Sequence, residues 1–128
     1  MAGMAETVSY KRLHLEYRIW IAELNHDINL IRILNDHIIE MADENKTTGA
    51  GSVAEVFGNK FNELRQTIDQ LRHRMHIEKM NLAATAREQS TIDSKIDFME
   101  NYTAIREDFF AFRVVFNEVK GKFDNLKI

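Results

Sequence analysis

The chain has no cysteine and no proline in 128 residues. Without cysteine, disulfides and thiolate metal centres are excluded outright. Without proline, nothing in the chain forces a helix to stop. Glycine is scarce as well: there are five, and Gly49 and Gly51 fall in one short polar stretch. Neither charge sign dominates, for the net charge is −3 and the isoelectric point about 5.9. That is too mild to point to nucleic acid or an anionic membrane, both of which reward concentrated positive charge. No apolar run approaches the ~20 residues needed to span a bilayer. The opening MAGMAETVSY also lacks the basic-then-apolar order of a secretory signal. A cytoplasmic location is therefore expected, with no membrane partner. Hydrophobic residues make up 45% and charged residues 29%, a balance that suits one folded domain over residues 1–128 with one modest core.

The apolar residues recur at helical spacing. Leu13, Tyr17, Trp20, Leu24, Ile28, Ile31, Leu34, Ile38 and Met41 follow one another at steps of three and four, which is the stripe of an amphipathic helix. The polar stretch DENKTTGAGS then makes a turn. Ser52 followed by Glu55 has the form of a capping box, which predicts that the second helix starts at Val53. Its seam runs Phe57, Phe61, Leu64, Ile68, Leu71, Met75, Glu78, Leu82, narrow enough for a coiled coil. A third stripe holds Phe98, Tyr102, Ile105, Phe109, Phe112, Phe116, Val119, Phe123 and Leu126.

The connection AATAREQSTIDS has no glycine or proline. Ser90, Thr91 and Asp93 are the candidate N-caps that place a break near residues 89–93. The alternative is one continuous helix from Val53 onward, its last segment packing on another chain. The economical reading is an all-α, antiparallel bundle of three long helices, from Thr7 to Glu44, Val53 to Glu88 and Ser94 to Leu126. Its core is expected to centre on Trp20, Leu24, Ile31, Phe61, Ile68, Leu71, Ile105, Phe109, Phe112 and Phe116.

Some residues carry a likeness. Trp20 with Glu23-Leu24, the segment FGNKF at 57–61, IDQLRH at 68–73, and Phe116-Asn117-Glu118 followed by Phe123 resemble a set of small all-helical proteins from bacteria of the Bacteroidetes lineage. Gly58 departs from that pattern, which has a long polar residue there. The resemblance implies a helical fold and no particular activity, so it transfers no functional residue.

Glu23-Leu-Asn-His26 raises the question of metal, because a Glu-x-x-His stacks a carboxylate and an imidazole one turn apart, as in di-iron bundles. Such a centre needs a second Glu-x-x-His and two further glutamates, and this chain has one such motif and no histidine in its third helix. His73 and His76 form another i, i+3 pair able to bind an ion adventitiously; His14 and His37 complete the set. At 100° per residue Glu23 sits at the margin of the apolar face and His26 turns away from it. No metal site and no cofactor is expected; Glu23, His26, His73 and His76 remain weak candidates only. Nucleophilic catalysis fares worse, with no cysteine and no serine in a glycine-rich elbow. Gly49-Ala-Gly51-Ser52 could cradle an anion but lacks the lysine and preceding strand of a P-loop. A non-enzymatic role is expected.

Lys60, Arg65, Arg72, Arg74, Lys79 and Arg87 are interleaved with Glu63, Asp69 and Glu78, which reads as a solvated face rather than a nucleic-acid footprint. Glu16, Glu23 and Asp27 lie in or beside the first apolar arc, where a lone carboxylate is costly. Antiparallel register predicts that Glu23 pairs with Arg72 and Glu16 with Lys79, with Asp27 near Arg65 and Arg72. Finally, Leu15, Ile19, Leu30 and Ile33, and Met99, Phe110, Val114 and Val115, form apolar flanks outside the seams. They either widen one chain's core or cover a second surface, most simply a homodimer. The expectation is an interaction or structural module; a His/carboxylate metal-binding or sensing bundle and a nucleic-acid-associated helical protein are the alternatives.

Overall fold

Three helices appear in the computed structural model, which describes residues 9–44, 50–88 and 92–126. They are α1 (Tyr10–Glu44), α2 (Ala50–Glu88) and α3 (Ile92–Asp124). Ser9 caps α1: its hydroxyl accepts from the Arg12 amide at 3.1 Å and its carbonyl from the amides of Arg12 and Leu13. One of the orphan donors of the first turn is thereby satisfied. The start therefore falls after Thr7, which itself lies outside the described residues.

Two other boundaries shift. α2 is already helical at Ala50, so Ser52 sits inside the first turn and is not the cap that its spacing with Glu55 suggested. Glycine and serine are tolerated there because the first four amides have no helical acceptor anyway. α3 begins at Ile92, two residues before Ser94, and ends at Asp124. The amides of Asn125 and Leu126 bond back to Gly121 and Phe123, closing the last turn. The candidate caps Ser90 and Thr91 lie outside the described residues, and Asp93 is within the helix.

Ring contacts and hydrogen bonds fix the directions. Arg72 meets Asn25, while Phe57 and Phe61 meet Phe123 and Arg74 meets Asp108. Between α2 and α3, numbers rise on one helix as they fall on the other. Between α1 and α2, Tyr10, His14 and Arg18 share a groove with Leu82 and Ala86 while Asn25 meets Arg72, so α2 is antiparallel to both neighbours. Along α1 and α3 the contacts Tyr10–Phe98, Tyr17–Tyr102 and His37–Phe123 advance together, so those two are parallel. The continuous-helix alternative is thereby replaced by a chain that folds back on itself. α1 and α3 each pack along α2 and approach each other less closely.

All ten expected core residues are buried, as is the α2 seam from Phe57 to Leu82. The wider α1–α3 gap takes the largest rings. Trp20 stacks on Tyr102 and Phe109 with centroids 5.4 and 5.3 Å apart, and meets Tyr17 edge-on at 5.8 Å. Such contacts add about 0.5–1.5 kcal/mol each beyond the area they bury.

Candidate functional site

The α1–α3 gap is also where the Glu23–His26 stretch lies. Ile19, Ala22, Glu23, His26, Asp27 and Arg113 line an open groove of about 410 Å³ there. Helical spacing places Glu23 and His26 on its exposed rim and turns Asp27 inward. The Asp27 side chain is only 3% exposed and pairs with Arg113 of α3, whose side chain is 32% exposed. The guanidinium, which donates to Asp27 Oδ2, also lies over the Phe116 ring at 5.8 Å. A buried carboxylate is thus held by a counter-charge that reaches the groove floor, the condition under which such burial is tolerated.

This overturns two expected ion pairs and the expected placement of Asp27 beside α2. Arg72 donates to Asn25 Oδ1 at 2.8 Å and to Asp69 Oδ1 at 2.9 Å, not to Glu23. The axial register was right to within a residue or two, but Asn25 is two positions from Glu23, about 200° around the helix. Glu23 therefore faces the α3 side and solvent. Glu16 likewise turns to α3: the Tyr102 hydroxyl is pushed up by burial and then by its hydrogen bond to Glu16, with no pairing to Lys79. Asp27 finds Arg113 on α3 instead of Arg65 or Arg72 on α2. Single-helix geometry could show that these carboxylates needed partners, but not which neighbouring helix lay on their side.

Among the described residues no group of three or more His, Asp or Glu side chains is placed to hold a metal. Glu23 and His26 share the groove rim without a third ligand, and His73 and His76 are exposed on α2. His76 is held below the usual histidine range by burial first, then by Lys79, Arg72 and His73. The Lys79 and Arg72 charges would repel a divalent ion as well as a proton.

A second polar feature interrupts the core. Glu78 occupies a seam position and is buried; its Oε1 accepts from Asn101 at 3.1 Å, while Oε2 has no partner. Burial raises its carboxyl above the ordinary value and the Asn101 bond partly opposes that shift. The buried Tyr17 hydroxyl also lacks a partner and is raised strongly, by desolvation first and by the Glu78 charge second. Asn101 is the residue that sequence reasoning missed, since a polar side chain on an outer flank carries no sign of its partner.

The basic residues of α2 separate by direction. Arg74 reaches Asp108 of α3 at 2.7 Å, and Lys60 lies over the Phe57 ring at 5.8 Å. Lys79 and His76 stay on the side facing α1, where Lys11, His14 and Arg18 border a groove floored by Leu82, Ala83 and Ala86.

Most of the exposed large apolar side chains belong to the flanks picked out by spacing: Leu15, Ile19 and Ile33 on α1, and Phe110, Val114 and Val115 on α3. Leu30 is half-buried. Phe110 lies edge-on to Trp20 at 6.4 Å and carries the Arg106 guanidinium over its ring at 5.0 Å. No helix of the described residues is long and apolar enough to cross a membrane. No family model, curated protein or solved structure matches the chain.

Proposed function

We propose that the chain is a non-catalytic helical interaction module that docks a protein through the outer face of α1 and the adjoining edge of α3. The observation that carries this reading is the set of exposed apolar side chains Leu15, Ile19 and Ile33 on one face of α1, with Phe110 and Val114 exposed on α3. Scattered surface hydrophobes need no explanation, but large apolar side chains that recur along one helix face mark a place where a partner can exclude water. Ile33 is 63% exposed and Phe110 46%, so neither is needed to complete the bundle. The aromatic filling of the α1–α3 gap and the Asp27–Arg113 pair beneath it give that surface a rigid base. The groove chemistry favours no reaction: it presents one rim carboxylate, one imidazole and a guanidinium already paired.

The test is a photocrosslinking amino acid introduced at position 33 and, as control, at the exposed polar position 66, in living cells. A protein adduct of discrete mass from position 33 and none from position 66 is expected. No discrete adduct from position 33 would overturn the docking reading.

A further inference from the structure

The α1 surface has an order that narrows what can dock on it. At 100° per residue, Leu15, Ile19, Ala22, His26, Leu30 and Ile33 fall within an arc of about 80° on the outer side of α1. All are exposed except Leu30, which is half-buried. The run is nearly palindromic about Leu24. Turned end for end, Leu15 meets Ile33, Ile19 meets Leu30 and Ala22 meets His26. One flank of this run changes sign once along its length: Lys11 and Arg18 at the start, Asp36 and Glu40 at the end. All four are exposed and none makes an ion pair among the described residues.

We infer that the partner at this face is a second copy of the same chain, with α1 packed antiparallel on α1 about a two-fold axis near Ala22–His26. This rests on the docking reading above and names its occupant. Antiparallel packing sets like flanks side by side, so the basic end of one copy lies along the acidic end of the other. Lys11 falls opposite residue 37, between Asp36 and Glu40, with Arg18 on the same side of them, and the two-fold axis repeats the contact. The opposite flank brings Glu23 near His26 and Arg12 near His37, one attractive and one not, so the first flank sets the direction. A parallel pair would use Glu16 and Glu23 as partners for Lys11 and Arg18, but Glu16 is half-buried and engaged by Tyr102. It would also leave Asp36 and Glu40 without partners. The groove lined by Ile19, Ala22 and His26 falls at the two-fold axis, and there Phe110, beside Trp20, widens the apolar surface.

The experiment is sedimentation velocity on the purified chain and two charge-reversed variants, with folding checked by helical circular dichroism. One variant carries Lys11→Glu with Arg18→Glu, the other Asp36→Lys with Glu40→Lys. The wild-type chain sediments as a dimer. Each variant alone associates about tenfold or more weakly, since the attraction between the basic and acidic ends turns repulsive at both ends of the contact. Mixing the two restores a dimer, because every reversed charge then meets its opposite. A monomeric wild type at about 100 μM, a concentration at which any dimer of specific affinity would be populated, overturns the proposal. So does a dimer that Asp36→Lys with Glu40→Lys leaves intact, which would indicate parallel packing or another surface. A monomer that still gives a crosslinked adduct of a different protein at position 33 refutes the second copy alone and leaves the docking reading standing.

Discussion

A carboxylate as buried as Asp27 is stable only beside a counter-charge, and the chain spends Arg113 on it although an apolar pair could fill the same space. Arg113→Met should cost about 2–4 kcal/mol in urea denaturation, because it strands a buried charge. Asp27→Leu combined with Arg113→Met should cost less than Arg113→Met alone; an equal or larger loss in the double variant would show that the pair acts through packing. Glu78 behaves differently. Its carboxyl is raised in the fold, chiefly by burial, so the folded chain holds that proton more tightly than the unfolded one. The group's contribution is complete below the ordinary glutamate range and is lost as pH rises through the raised value. Glu78→Gln should therefore be more stable than wild type at pH 7, with the gain vanishing near pH 4. Melting curves at the two pH values check this, and a gain that grows toward low pH would refute it. The need for a partner at Asp27 was legible from its place beside an apolar arc. The partner's identity was not, because it sits 86 residues away on α3.

At the scale of single helices, spacing alone recovered all three, since a stripe every three or four residues is a property of one element. Their ends were less legible. Ser9, an N-cap with its acceptor bonds in place, stands two residues after the Thr7 start that spacing suggests, and the helical backbone at Ala50 removes the capping role that spacing suggests for Ser52. Several small polar residues in a row can each cap a helix, and the choice depends on how far the neighbouring helix lets the next turn pack. Gly58 offers a clean test of helix energetics. It lies inside α2, and an added Cβ would meet nothing within 4 Å. Gly58→Ala should stabilise the chain by about 0.5–1 kcal/mol, through reduced backbone freedom in the unfolded state. A destabilised variant in thermal or urea denaturation would mean that the site is crowded in a way the fold does not show.

Across the molecule the three helices are not equivalent. α2 runs antiparallel to both others and is packed along its length by each, whereas α1 and α3 meet mainly through large rings. The amides of the middle of α2, around Phe61, Ile68 and Met75, lie beside side chains with no measurable exposure. They should be the slowest to exchange in hydrogen–deuterium measurements, and the ends of α1 and α3 should open first. Equal protection in the middle of all three helices would argue that the α1–α3 contact is as strong as either contact with α2.

The sequence by itself determined that the chain is helical, where its three apolar stripes lie and which residues of each turn inward, while leaving open whether the second and third stripes shared one helix. Those are consequences of periodicity and of the missing proline, and each can be computed along one axis. Tertiary structure alone decided which helix is central, that Asp27 is held by Arg113, that Arg72 goes to Asn25 and that Glu78 is met by Asn101. Those choices depend on the rotation of each helix about its axis relative to its neighbours. A shift of two positions turns a side chain by about 200°, so a register correct along the axis can still send a charge to the wrong helix. The apolar flanks of α1 and α3 were legible as a surplus, but only the packed bundle shows that Ile33 and Phe110 remain outside it, because burial belongs to the assembly and not to the stripe.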